Sequence, residues 1–495
     1  MGSYEKLESH FTGIADLNHV SSILSWDEAA MMPAGGGEAR ASASATLAVL
    51  IHQRSTDPAL LDWIAEAENE AGLNEWQRAN VREIKRDYSN NICLPGQFVD
   101  AQSRACARSE QAWRTMRADN NWEGMRPLLE EVVVLAREEA SLRSAGTGLS
   151  AYDSLLNLYE PGVTCAEIDI QFAPLREFLP GFLNTVLERQ ASEPIEPLGN
   201  SFSVAKQREL GLEMMAVLGF DFEHGRLDVS HHPFCGGVPD DVRITTRYRE
   251  DNFLDSLMGV LHETGHALYE QGLPHAWRHQ PVGTALGSAE HESQSLLMEM
   301  QACRSREFVK FLAPIAQRIM AGPDAAAAAW GVDNLYRHYT RVHRGFIRVD
   351  ADEVTYPLHV ILRYEIEKSL IEGEVEVSHI PELWNDKMQS YLGLNTRGNF
   401  TDGCLQDVHW PCGLFGYFPT YSLGAMTAAQ LFSAANRDRP SILNEIEEGD
   451  FSHLLAWLRT NVHNKGSLLS ATDMLTSATG SSLDANYFID HLKRR

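Results

Sequence analysis

The sequence predicts a mainly α-helical protein with one small β-sheet near its middle. Three observations predict this. Apolar residues recur at spacings of three and four over long stretches, strand-like alternation is confined to short runs, and prolines and glycines fall mostly between the periodic segments. The 495 residues exceed the roughly 250–300 that one compact core can serve, so two lobes within a single unit spanning 1–495 are expected.

The periodicity predicts helices over "NEWQRANVREIKRDYSN" (74–90), "MRPLLEEVVVLAREEASLRS" (125–144) and "DNLYRHYTRVHRGF" (333–346). "DAAAAAW" (324–330) reads as a further helical segment, and "LYEPGVT" (158–164) and "SEPIEPLGNSF" (192–202) as breaks between helices. The clearest strand is "DVRITTRY" (241–248), where β-branched residues follow the turn-rich "HHPFCGGVPD". "FIRVD" (346–350) is a second, shorter candidate. There is no repeat period and no long low-complexity linker.

The formal net charge of −26 argues against nucleic acid or an anionic membrane surface as partner. No window holds 18 uninterrupted apolar residues, so no membrane span is expected. The opening "MGSYEKLESHFTGIADL" lacks the apolar run of a secretory signal, and Lys6 spoils a myristoylation signal. Seven scattered cysteines without CxxC pairs read as reduced thiols, with Cys404 and Cys412 in packing roles, and a cytoplasmic setting is expected.

Chemistry concentrates in "LMGVLHETGHALYEQGLP" (257–274). Leu254, Leu257, Met258, Leu261 and Leu268 recur at helical spacing, Asp251 or Asn252 can cap the start, and Gly272 and Pro274 supply a stop. His262 and His266 are four apart, so both project from one face as two ligands of a single cation must. Glu263 sits beside the first histidine, where a carboxylate base can act on a water whose pKa a metal has lowered. A third ligand is still needed. The following "GSAEHESQSLLMEMQA" (287–302) reads as a second helix with Ser288 as cap, and it offers Glu290, His291, Glu292 and Glu299. Spacing does not choose among them. Each carboxylate also has a plain helix-end role, and for Glu299, two turns beyond Glu292 on nearly the same face, support of the ligands from behind competes with a surface charge, the plainer expectation.

Six pieces in order, "HPF" (232–234), "DVRIT" (241–245), "HETGH" (262–266), "HESQ" (291–294), "IRVDAD" (347–352) and "GCLQDVHW" (403–410), resemble the signatures of the carboxypeptidase Taq family of metallocarboxypeptidases. "LSWDEAAMMPAGGGEAR" (24–40) and "YDSLLNLYEPG" (152–162) are also similar to family segments, so the resemblance covers nearly the whole chain. The alanine- and serine-rich "RASASATL" after residue 39 departs from it without touching a catalytic position. The resemblance implies a two-lobed helical peptidase with a deep central groove, similar to angiotensin-converting enzyme and the thimet-type oligopeptidases. It implies one divalent metal per chain, zinc or cobalt, held by His262, His266 and Glu292, with Glu263 as base and proton shuttle. Glu290 and His291 then belong to the surroundings. It also implies peptide substrates with a free C-terminus and a homodimer, with the metal and substrate motifs inside 232–424.

A carboxypeptidase must recognise a terminal carboxylate and stabilise an oxyanion. A guanidinium fork suits the first task. The resemblance points to Arg348, ahead of the helix "DEVTYPLHVILRYEIEKSLIEG", whose N-terminal end favours an anion. From the residues alone, an ion pair of Arg348 with Asp350 or Asp352 is the plainer reading. Arg243 is a weaker substrate-binding candidate, with pairing to Asp241 as the default. For the oxyanion, "QDVHWPCGLFGYFPTYSLG" (406–424) supplies donors. His409 and Tyr421 are the candidates around the scissile bond, with Tyr417 close behind. Packing is the competing role for each tyrosine. Gln406 and Asp407 shape the loop or bind substrate backbone. His232 is balanced between a turn role and a substrate contact. The interleaved glycines 413, 416 and 424 suit either a mobile loop or packing against the rings.

Two rival readings come with this one. An endo-acting oligopeptidase or dipeptidyl carboxypeptidase could use the same scaffold, but it has no need of the Arg348 clamp. A catalytically silent metal- or peptide-binding protein has no need of Glu263.

Overall fold

The computed structural model describes residues 2–199, 201–322 and 326–495. Helices dominate it, with one three-stranded sheet among the described residues. The helix expected over 74–90 runs from Glu75 to Ile92. Asn74 caps it by accepting the amide of Gln77, whose side chain reaches back to the Asn74 amide. The helix expected over 125–144 lengthens to Trp122–Thr147 and ends on left-handed Gly148.

The sheet comprises β1 (Gly225–Val229), β2 (Phe234–Val238) and β3 (Asp241–Thr246), in the order β1-β3-β2. Strand β3 is the strand expected over 241–248, ending two residues early at Thr246, and it runs parallel to β1 and antiparallel to β2. Leu227, Val242 and Ile244 on the sheet pack with Val260 and Ala267 into a small apolar cluster. Because Val260 and Ala267 belong to the helix Phe253–Gly272, the sheet braces the HETGH motif from behind. A separate cluster joins Tyr4, Leu7 and Phe11 to Leu60 and Ile84. The largest cluster runs through the helices that surround the motif.

Four local expectations are corrected. The helix expected over 333–346 covers only Val332–Tyr339. Arg341 then donates to the carbonyls of Gln190 and Glu193 and the Val342 amide donates to the Gln190 side chain, which carries the backbone away. "FIRVD" is not a strand but a 3₁₀ turn, Arg348–Asp350, because the Gln406 side chain takes the Arg348 amide a strand partner would need. In "DAAAAAW", residues 324 and 325 lie outside the described residues and 327–330 form turns. There the stacking of Trp330 on Phe253 and capture of the Ala329 carbonyl by Asn334 override alanine's helix propensity. The cap of the second motif helix is Gly287 rather than Ser288. Its exposed amides are met by a distant residue instead, since buried Glu160 accepts from the Ala289 amide at 2.8 Å.

No described helix is long and apolar enough to cross a membrane.

Candidate metal centre and cleft

Asn252 caps the motif helix by accepting the amides of Leu254 and Asp255, which starts the helix where His262, Glu263 and His266 share a face. Against it lies the helix Ser288–Leu296, which continues as a π-helical segment, Leu297–Cys303. The two approach closely because Gly265 has no side chain: a Cβ there would fall 2.5 Å from the Gln294 carbonyl oxygen. This close approach brings Glu292 to the histidines. Its Oε2 lies 3.5 Å from His266 Nε2 and 3.9 Å from His262 Nε2. The ligand atoms of His262, His266 and Glu292 all fall within 4.8 Å of one another. Two imidazole nitrogens and one carboxylate oxygen converging in this way fit a divalent ion of the zinc type, with room for a further ligand.

Half-buried partners set the histidine tautomers. Glu299 Oε2 accepts from His262 Nδ1 at 2.9 Å, and its other oxygen accepts from Arg304 at 2.6 Å. His266 Nδ1 lies 2.6 Å from His291 Nδ1, and His291 Nε2 lies 2.8 Å from Glu270 Oε1. With His266 Nε2 kept free for a metal, its Nδ1–H donates to His291 and the His291 Nε2–H donates to Glu270. Glu299 is therefore no surface charge. It orients His262, and the π-helical segment, a common device at functional sites, carries it. Glu270 was absent from the sequence-derived candidates, although its place four residues after His266 puts it on the ligand face.

Electrostatics divides the cluster. Burial lowers the His262 pKa, but Glu292, Glu299 and Glu263 outweigh it and hold the imidazole up to about 10. Burial dominates at His266, which falls to about 4. Burial raises Glu292, yet the neighbouring histidines pull it down to about 2. Glu263 goes the other way: burial lifts it to about 7 despite His262. A carboxylate placed near neutrality beside two metal-type ligands can accept a proton and give it back.

These groups open onto a cleft of about 1300 Å³ that also takes in His232, Arg348, Tyr356, Tyr417 and Tyr421. Tyr356, at the start of the helix Tyr356–Ile371, was not among the sequence-derived candidates. Its ring meets that of Tyr421 edge to face at 6.1 Å, and both residues line the cleft with Arg348 and Glu292. His232 faces the cleft as an exposed side chain. His409 stands behind the lining, with Nε2 3.2 Å from the Tyr421 hydroxyl and its ring 4.4 Å from Phe418.

Arg348 does not pair with Asp350 or Asp352. Its Nε and Nη2 donate to Asp407 Oδ1 at 3.1 and 2.9 Å, and Tyr421 lies under the guanidinium at 4.6 Å. Fully buried Arg363 takes the other Asp407 oxygen, with Nε at 2.7 Å. Two guanidiniums on one carboxylate leave one net positive charge, and they hold the Asp407 carboxyl far below the usual carboxylate range despite its burial. Two substrate-binding candidates are corrected. Gln406 directs its amide to the Arg348 amide and to the carbonyls of Phe346 and Asp402. Arg243 grips Asp241 at 2.8 and 2.9 Å and stacks on Trp26, away from the cleft. The segment 406–424 also divides: Gly413 and Gly416 take left-handed conformations, whereas Gly424 lies inside the helix Pro419–Asp438.

Known proteins share this fold along nearly the whole chain. The carboxypeptidase Taq (M32) metallopeptidase family model matches residues 6–495. The thermostable carboxypeptidase 1 of Thermus thermophilus is 35% identical over 504 residues, covering 100% of this chain and 98% of that protein. Metallocarboxypeptidase 1 of Trypanosoma cruzi superimposes with a TM-score of 0.97 at 43% identity, covering 99% of each chain. An M32 carboxypeptidase from Deinococcus radiodurans does so at 0.95 and 33% identity, covering 99% of this chain and 98% of that one. With a family match over nearly its full length, and relatives named carboxypeptidases, the chain belongs to the carboxypeptidase Taq (M32) family of metal-dependent peptide hydrolases.

Proposed function

We propose that this chain releases single amino acids from the free C-termini of peptides, with Glu263 as the general base and zinc as the metal, cobalt being the alternative. The observation that carries this reading is the placement of Arg348 in the same cleft as the His262, His266 and Glu292 triad. A divalent ion held by those three residues supplies Lewis acidity to a water and to the scissile carbonyl.

The chain's own residues do the rest. Arg348, held in plane by Asp407 and by the Tyr421 ring, presents its remaining N–H groups to a terminal carboxylate. Tyr356 and Tyr421 offer phenol donors on the wall of the cleft, and Tyr417 extends that wall. His409, whose pKa burial lowers to about 4, stays neutral and fixes the Tyr421 hydroxyl. Glu263 takes the proton of the attacking water and returns it to the leaving amine. A homodimer and a cytoplasmic setting complete the reading, the latter supported by seven unpaired cysteines.

An N-blocked peptide with a free C-terminus and its C-terminal amide, each incubated with metal-loaded protein and with Glu263→Gln, test the proposal by mass spectrometry. Stepwise loss of single residues from the free acid alone, absent in the variant, is expected. Internal cleavage of both peptides would instead identify an oligopeptidase and strip Arg348 of its role.

A further inference from the structure

We propose that a second, basic pocket is a binding site for a small oxyanion, and that Arg304 joins it to the metal centre. The pocket encloses about 300 Å³ between the helices Cys165–Gln190, Val332–Tyr339 and Asn486–Arg494. Seven cationic side chains and four carboxylates line it, in a chain whose net charge is −26. The carboxylates are already engaged. Asp333 pairs with Arg306, Glu193 with Arg189 at 3.4 Å, and Glu353 with His491 at 2.9 Å. Asp352 accepts the amides of His343, Val354 and Thr355.

Arg337 and Arg341 therefore have no carboxylate partner among the described residues. Arg337 donates to the Pro194 carbonyl at 3.3 Å, and Arg341 to the carbonyls of Gln190 and Glu193 at 2.8 and 2.7 Å. Carbonyls fix the two forks in place without neutralising them. The Tyr339 hydroxyl, on a lining residue only 6% exposed, also has no partner among the described residues, and neither has Arg304 Nε. Fixed guanidiniums with unspent charge, beside an unpaired phenol and N–H, suit an oxyanion such as sulfate, phosphate or a small carboxylate.

Arg304 lines both this pocket and the catalytic cleft. One of its nitrogens holds Glu299 at 2.6 Å, and Glu299 holds His262 Nδ1 at 2.9 Å. An oxyanion beside Arg304, whose Nη1 donates to the Tyr339 carbonyl at 3.4 Å and whose Nε alone lacks a partner among the described residues, offsets positive charge that now bears on Glu299. Glu299 then accepts more strongly from His262 Nδ1–H, and Nε2 becomes the better metal donor. The coupling rests on the proposed ligand set, whereas the anion site does not. Metal binding should tighten by about fivefold, and the anion should tighten equally when metal is bound.

The site is tested by calorimetric titration of the metal-free protein with sodium sulfate, and in a second arm acetate, at ionic strength held with potassium chloride. One saturable site is expected, weakened at least about tenfold in Arg337→Gln/Arg341→Gln. The tighter of the two anions identifies the ligand as tetrahedral or carboxylate. Crystals soaked in selenate give an independent reading should that variant fold poorly, with an anomalous peak expected between Arg304 and Arg341. Heats equal to those of chloride, unchanged binding in the double variant, or no selenate peak there would overturn the site. Cobalt affinity measured with and without sulfate tests the coupling, and equal values would overturn it. A protein that binds sulfate but no cobalt would count against the metal reading instead.

Discussion

Gly424 gives the sharpest test of how the metal centre is built. It lies within the helix Pro419–Asp438, and a Cβ added there would stand 2.8 Å from Glu292 Cγ, 2.9 Å from Glu292 Cβ and 3.2 Å from the Ala289 carbonyl oxygen. Carbon atoms pack at about 3.5–4.0 Å, so Gly424→Ala must drive the Glu292 stem away by about 0.7 Å. Metal–ligand distances tolerate only about 0.2 Å. The displacement thus exceeds the tolerance about threefold at the one carboxylate of the triad. The fold is affected far less. Alanine gains about 1 kcal/mol over glycine in a helix interior, which offsets much of an overpacking cost of about 1–3 kcal/mol. At an unfolding entropy of about 2.1 cal/mol/K per residue, the net loss over a chain this long lowers Tm by about 2 °C at most. The expected variant is folded by circular dichroism yet binds zinc at least about tenfold more weakly in chelator competition, as ligand-shell disturbances do. Zinc bound at wild-type affinity would refute the claim that this glycine sets the position of Glu292.

Three other predictions follow from the same geometry. Asp407→Asn leaves Arg348 and Arg363 buried without their shared counter-charge, at 6% and 0% side-chain exposure. Losing a buried partner costs about 3–5 kcal/mol, so Tm should drop by about 3–5 °C, while KM for free-acid peptides rises more than kcat falls, and an unchanged KM would refute the role of Asp407 in holding the clamp. Glu263 must be ionised to act as base, and its pKa is raised to about 7 in the metal-free cluster. A bound dication favours the carboxylate and pulls that value down, so kcat/KM should rise with pH along a limb centred below 7, and an activity optimum near pH 4 would contradict the assignment. Chelation should destabilise the native state, because metal at a hundred times its Kd contributes about 2.7 kcal/mol. Scanning calorimetry with and without chelator should show about a 2–3 °C difference.

Helices and the strand "DVRIT" were legible because their patterns are local: apolar spacing, an Asn cap, a glycine stop. Local pattern failed where distant groups claimed the backbone. Arg341 and the Gln190 side chain ended one helix early, and the Gln406 amide turned "FIRVD" into a 3₁₀ turn. Glu160 replaced the expected Ser288 cap from well over a hundred positions away in the chain, which no window around "GSAEHES" can register.

The sequence by itself determined the two histidines on one helical face with Glu263 beside the first, because a spacing of four is a property of the α-helix alone. By resemblance it also pointed to Glu292 and Arg348. Only the tertiary structure decided what those residues touch. Glu299 and the His291–Glu270 pair set the histidine tautomers, and Asp407 rather than Asp350 or Asp352 holds Arg348. Hydrogen bonds and ion pairs act over about 3 Å of space whatever the separation along the chain. The side chains that tune a site are therefore chosen by packing, as when two glycines let Glu292 reach the histidines, and one-dimensional spacing carries no record of that choice.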